Sequence, residues 1–240
     1  RILTFSVGLR KIRVMELRYY GHSCFAVELQ GKRLLFDPFI TGNPLASGVD
    51  IDALRPDFIL ISHGHGDHVG DAIELGRKHN AHIISTYEVV NWLAAHGVSG
   101  TGMNAGGKRE FPFGTLRLVN AVHSSQLPDG AYGANPVGFC LYGNGFSFYF
   151  AGDTALTMDM QLIPMMCPPL DFAILPIGDH FTMGYEDALL ASDFISCSRI
   201  VGCHYDTFPP IKIDRERVRR AFSDRGKSII LPEIDQPFTL

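Results

Sequence analysis

An α+β fold, with two mixed β-sheets packed face to face and helices outside, is what this 240-residue sequence predicts. Three observations carry that expectation. The chain opens with short strand-like runs joined by tight turns, the pattern of antiparallel pairing. Further along, continuous apolar runs alternate with helical stretches, the pattern of strands buried on both faces. No fixed-period repeat, low-complexity segment or clear linker divides the chain, so a single domain over 15–240 is expected, preceded by an extension over 1–14.

In order, Leu17–Tyr20 and Cys24–Leu29 read as strands, and Gln30-Gly31 turns the chain into Arg33–Phe36. Asp37-Pro38 ends this antiparallel opening, because proline cannot donate to a ladder. Residues 39–56 are rich in Gly, Pro, Asn and Asp and read as a loop. Phe58–Ile61 is a continuous apolar run, and Ala72–Lys78 reads as a helix. His82–Ser85 follows as a short strand, and Glu88–His96 as a helix closed by Gly97. Leu116–Val122 is a strand. Val137–Tyr142 and Phe146–Phe150 form a hairpin around Asn144-Gly145. Met158–Met166 reads as a helix stopped by Pro168-Pro169, and Phe172–Pro176 as a buried strand. Then come a helix over Glu186–Ile195, a strand over Ile200–Cys203, a basic surface helix over Arg215–Ser223, and strands at Ser228–Leu231 and the C-terminus.

Composition narrows the function. Apolar residues make up 46% and charged residues 19%, a globular balance without room for a long disordered tract. The net charge of −4 argues against a nucleic-acid partner, which favours a basic face. No run approaches the ~20 apolar residues that span a bilayer. The five cysteines, at 24, 140, 167, 197 and 203, include no CxxC pair, which favours a reducing cytoplasm over a disulfide framework. Cys203 adjoins a candidate ligand but reads as a small buried residue ending a strand.

The chemistry concentrates in Ser62-His63-Gly64-His65-Gly66-Asp67-His68, directly after an apolar strand. Imidazole and carboxylate are the donors that zinc, iron, manganese and related ions accept. The two glycines allow a tight loop in which side chains two apart converge, while Asp67 and His68 can point to an adjacent site. Such a motif arises by chance in roughly one chain in a thousand. Three further strands also end in donors: His123, Asp153 after Gly152, and His204. Sites gather beyond strand ends because a rigid scaffold positions them there.

With these residues in view, the chain resembles the metallo-β-lactamase-fold proteins, whose signature is H-x-H-x-D-H, an isolated His, a Gly-Asp and a last His. Tyr20-Gly-His-Ser-Cys-Phe25, Leu35-Phe-Asp-Pro38, Gly152-Asp-Thr154, Phe181-Thr-Met-Gly184 and His204-Tyr-Asp-Thr-Phe208 are similar to segments of the small metal-dependent hydrolases related to ascorbate-6-phosphate lactonase and N-acyl-phosphatidylethanolamine phospholipase D. The resemblance covers nearly the whole chain from Met15. It implies a four-layer αββα sandwich with the site at one edge. It also implies a first divalent ion on His63, His65 and His123, a second on Asp67, His68 and His204, and Asp153 bridging both. Asp37 would orient a histidine ligand; an aspartate opening a turn is the competing reading. His22 and His180 are the substrate-binding candidates, with Thr182 and Tyr205 behind them.

Two divalent ions, with zinc first and manganese, iron or nickel as alternatives, would lower the pKa of bound water from ~16 to near neutrality. The resulting hydroxide would attack a carbonyl or phosphorus, with Asp67 and Asp153 as the catalytic carboxylates. Against two divalent cations, Asp67, Asp153 and the hydroxide leave a charge of about +1, which favours oxyanions. The expected substrate is a small ester, lactone or phosphodiester. A nuclease is a rival, though there is no room for a large inserted domain and no basic arm. A flavin-linked di-iron enzyme would carry Glu in place of His65, and a non-catalytic module would have lost ligands. Between monomer and homo-oligomer the sequence leaves the assembly open.

Overall fold

The computed structural model describes residues 15–240, so the extension expected over 1–14 lies outside the described residues. Among the described residues, fourteen strands form two seven-stranded sheets. The first holds β1 (Glu16–Gly21), β2 (Cys24–Leu29), β3 (Lys32–Phe36), β4 (Phe58–Leu60), β5 (His82–Thr86) and β6 (Gly100–Met103) in chain order. The second holds β7 (Lys108–Phe111), β8 (Gly114–Asn120), β9 (Val137–Gly143), β10 (Phe146–Phe150), β11 (Phe172–Pro176), β12 (Arg199–Cys203) and β13 (Ser228–Ile230). The last strand, β14 (Pro237–Thr239), returns to pair with β1 on the edge of the first sheet. Each sheet is mixed: β3 to β6 run parallel, as do β10 to β13, and the remaining pairs are antiparallel.

Phenylalanines interleave between the sheets. Phe36 lies 4.9 Å from Phe150 across the gap, and Phe148 stacks on Phe172 at 4.8 Å. The short helices α1 (Gly66–Val69), α2 (Ala72–His79) and α3 (Tyr87–Ala95) follow the first sheet's strands. Leu75, Val89 and Leu93, from α2 and α3, pack on its outer face beside Ile59 and Ile83. The helices α4 (Ile163–Met166), α5 (Tyr185–Phe194) and α6 (Arg215–Ser223) cover the second sheet through Ala188, Ala191, Val218 and Phe222. The outcome is the four-layer αββα sandwich.

Three expectations are corrected. Strands β6 and β7 were not expected, because Gly-Thr-Gly-Met and Lys-Arg-Glu-Phe lack an apolar alternation. Both lie on sheet edges, where charge and small residues are tolerated and discourage further pairing. The strand placed at Leu116–Val122 ends earlier, at Asn120, and releases His123 into a loop. Met158–Met166 is not one helix: a 3-10 stretch over Met158–Leu162 precedes the single turn of α4. Pro164 explains the break, since its ring cannot follow an α-helical turn without clashing with a preceding carbonyl.

Candidate metal centre

Strand direction gathers the donors. Strands β1, β3 and β4 run the same way in the first sheet, and β8, β10 and β12 share one direction in the second. Their C-terminal ends therefore carry His22, Asp37, the 62–68 loop, His123, Asp153 and His204 to one edge of the sandwich. Backbone bonds pin the sheets together there: Ser62 O accepts from Val137 N at 3.0 Å, and His22 O from His204 N at 2.6 Å.

Glycine has local reasons here. Gly152 holds φ +62°, and a Cβ on it would lie 2.6 Å from Cβ of Ser62, so the Gly-Asp pair brings β10's end against the histidine loop. Gly64 is needed for close approach, since its Cβ would meet Cα of Gly133 at 3.2 Å. Gly66, expected to help the loop fold, faces open space. The segment after His123 secures Gly64 further, with Ser125 Oγ accepting from Gly64 N at 3.0 Å and donating to Gly133 O at 2.8 Å.

All seven sequence-predicted donors meet at this edge. One ligand atom each from His63, His65 and His123 lie within 4.8 Å of one another, as do those of His63, His68 and Asp153. A third group joins Asp67, His68 and His204 with His22. Asp153 sits at the centre: its Oδ2 is 3.0, 3.3 and 3.6 Å from Nε2 of His204, His68 and His123.

Asp37 lies behind this layer with no solvent exposure. Its Oδ2 accepts from His68 Nδ1 at 2.8 Å and from Ser62 Oγ at 2.6 Å, while Oδ1 accepts from Ser62 N at 2.7 Å. Since Ser62 gives its hydrogen to Asp37, its oxygen accepts from His63 Nδ1 at 3.0 Å. Both imidazoles thus carry their proton on Nδ1 and turn Nε2 into the site, a tautomer assigned from these partners.

Electrostatics follow the same layout. Burial holds His63 well below its ordinary value, with the neighbouring His68 adding to the effect, and burial also lowers His65 and His123. Burial opposes charge on His68 as well, but Asp153 and Asp37 outweigh it and hold this imidazole well above its ordinary value. For Asp153, burial favours the neutral acid, yet His204 and His68 keep it ionised, well below the usual range.

The donor set fits divalent ions. Asp153 Oδ1 is buried without a hydrogen-bond partner among the described residues, and His68 Nε2, 3.3 Å from Asp153 Oδ2, makes no well-formed hydrogen bond. Buried polar groups rarely stay unsatisfied, and cations among them would satisfy these.

The pocket above the donors encloses about 400 Å³. His65, Asp67, His123, Asp153 and His204 form its floor, with Ser124, Phe181, Phe208 and Pro210 around them. Neither His22 nor His180 is among the residues lining it, and the complete burial of His22 corrects its placement as a substrate contact. His22 is fully buried beneath Asp67, with its ring packed against Phe39 and Phe208. His180 is exposed and meets the pocket-lining Phe181 edge-on at 4.5 Å. Thr182 Oγ1 donates to the Met183 carbonyl, and Tyr205 is buried between Tyr19 and the Arg215 guanidinium. Cys203 is a sealed core residue whose thiol burial pushes up. Ser125 carries no signal in the sequence, while Ser62, Phe181, Thr207 and Phe208 lie in the segments quoted above without a role of their own being legible there. The signals were the place of Ser62 directly before the histidine run and that of Phe181, Thr207 and Phe208 within segments similar to the relatives.

Comparison with known proteins agrees with this fold. The β-lactamase superfamily domain profile matches residues 32–205. A UPF0173 metal-dependent hydrolase of Flavobacterium johnsoniae is 48% identical over 226 residues, covering 94% of this chain and all of its own. One from Thermus thermophilus is 44% identical, covering 89% of this chain and 93% of its own. Among solved structures, Igni18, a metallo hydrolase from the hyperthermophilic archaeon Ignicoccus hospitalis, superposes with a TM-score of 0.85 at 34% identity, covering 95% of this chain and 99% of its own.

Proposed function

This chain belongs to the β-lactamase superfamily and, within it, to the UPF0173 metal-dependent hydrolases, and from that premise we propose a two-ion site acting on a small neutral ester or lactone. His63, His65 and His123 would hold one ion and Asp67, His68 and His204 the other, with Asp153 shared. The observation that carries this reading is the position of Asp153 Oδ2 among three imidazoles at the pocket floor. Bound divalent ions supply Lewis acidity and activate water for attack near neutral pH. Zinc suits the imidazole-rich first set, while manganese, iron and nickel also accept these donors.

The protein's own residues do the rest. Asp37 and Ser62 hold His63 and His68 in the tautomers that ligation needs. Phe181, Phe208 and Pro210 give the pocket an apolar wall that displaces water from one side of the substrate. Among the described residues no Lys or Arg lines the pocket, so none of them would join the ions in neutralising an anionic substituent. This favours an uncharged acyl group over the phosphorylated or anionic substrates that the charge count suggested. Phosphodiesters remain the second reading.

A polymer substrate is disfavoured by the basic helix α6. Arg215 pairs with Asp206 and Glu233, Arg217 with Glu186, and Arg219 with Glu216, so three of its four cations are balanced by neighbouring carboxylates. All five cysteines are free and buried, which supports the cytoplasm as its compartment. No helix among the described residues is long and apolar enough to cross a membrane. The test is a hydrolysis screen of protein loaded with zinc or manganese on lactones, acyl esters, phosphodiesters and single-stranded RNA. Ester or lactone turnover is expected to lead. Fastest cleavage of RNA, with strong salt dependence, would overturn the reading.

A further inference from the structure

We propose that His22 is the positioning residue of the second ion's pocket, acting through Asp67 and fixed in its tautomer by Thr207. The inference rests on the two-ion reading above. His22 has no solvent exposure, so it meets neither substrate nor bulk water. Its ring nitrogens both have partners: Nε2 lies 3.1 Å from Asp67 Oδ2, and Nδ1 lies 2.9 Å from Thr207 Oγ1.

A carboxylate can only accept, so Nε2 of a neutral His22 carries the hydrogen and donates it to Asp67. Nδ1 then holds a lone pair and needs a donor. The hydroxyl of Thr207 supplies one, in preference to the Tyr205 carbonyl, which lies farther off at 3.4 Å. With Oδ2 held in this way, the direction of the other Asp67 oxygen is set. Metal-ligating groups are commonly oriented by such outer partners, whose loss costs about 10–100-fold in metal affinity.

His22 grips the same pocket a second time through its backbone. Its carbonyl accepts from His204 N at 2.6 Å and from the Tyr19 hydroxyl at 3.1 Å. Both His22 and His204 adopt left-handed backbone, at φ +56° and +53°, and their rings lie 4.1 Å apart. One residue of the first sheet thereby orients two of the three ligands assigned to the second ion. The set His63, His65 and His123 has no bond to it. The chain Thr207–His22–Asp67 is therefore specific to one ion.

This asymmetry is the test. Cobalt(II) titration of metal-free protein, read by its visible absorption and by calorimetry, separates the two binding steps without any assay of turnover. For His22→Leu we expect the first step within about twofold of wild type and the second weakened about 10–100-fold. Thr207→Val leaves the imidazole in place but removes its donor, and should weaken the second step about tenfold. His22→Gln, whose amide N–H can reach Asp67 as Nε2 does, should recover most of the loss. Equal weakening of both steps, wild-type behaviour in both His22→Leu and Thr207→Val, or failure of Gln to rescue would each overturn the proposal. The last outcome would mark His22 as a direct ligand. A wild-type protein binding a single ion would overturn the two-ion reading and this proposal with it, whereas a silent substrate screen would leave the titration result intact.

Discussion

Oδ2 of Asp37 lies 2.8 Å from Nδ1 of His68, and neither side chain has any solvent exposure. The same oxygen accepts from Ser62 Oγ, which in turn accepts from His63 Nδ1. One carboxylate thus holds a histidine from each of the two proposed ligand sets. An amide at this position would have to place an NH₂ against a donor, whichever way it turned. Asp37→Asn is expected to keep the fold and weaken metal binding about 10–100-fold. Competition with a chromophoric chelator measures this; unchanged affinity would mean Asp37 merely fills space.

Asp153→Ala removes the carboxylate that faces His68, His123 and His204. Turnover should fall at least about 10²–10³-fold, the scale for losing a preorganised charge-stabilising group. Metal content should fall from near two ions per chain to one or fewer, while the far-ultraviolet circular dichroism stays that of the native protein. Full metal content in this variant would refute the shared-ligand assignment.

Gly152→Ala tests the packing of the site's backbone. The residue holds φ +62°, and its Cβ would approach that of Ser62 to 2.6 Å. Strain and overlap together should cost about 2–4 kcal/mol, or roughly 5–15 °C in Tm, for a chain of this size. Thermal unfolding with saturating zinc gives the answer, and a shift under about 2 °C would show that the neighbouring loop yields freely.

Outside the centre, His82 sets a pH dependence. Its Nε2 bonds Thr101 Oγ1 at 2.8 Å, and burial followed by Arg109 lowers its pKa. The folded protein therefore takes up this proton less readily than the unfolded chain. The contribution is complete above the unfolded value of about 6.5 and is lost as pH falls below it. Between pH 7.5 and 5.5, wild type should lose more Tm than His82→Gln. The ligand histidines are common to both proteins, so the difference isolates His82; equal slopes would refute the assignment.

Phe181 forms part of the apolar wall beside the floor ligands. Lengthening the acyl chain of a p-nitrophenyl ester should raise kcat/KM by up to about fourfold per methylene, from about 0.8 kcal/mol for each buried CH₂. In Phe181→Ala that gain should shrink while acetyl ester turnover changes less than about twofold. A flat chain-length profile in wild type would argue that the wall does not touch substrate.

The sequence alone determined the layers and singled out the candidate donors. His63, His65, Asp67 and His68 stand within six residues, and His123, Asp153 and His204 each follow an apolar strand. Apolar period reports burial, which is why β2, β3, β9, β10 and α6 were placed to within a residue or two. What only the tertiary structure decided is which side chains stand behind the ligands and which stand before them. His22 stands directly after a strand that ends in glycine, just as a pocket residue would, yet it lies beneath Asp67, 45 positions along the chain. Its partner Thr207 is 185 positions away. Phe181 and Phe208 become a wall because two loops of the second sheet meet over the donors of the first. Local sequence records the period of a strand and the chemistry of its end. It does not record which loops face one another, because sheet order and the packing of one sheet on the other set that.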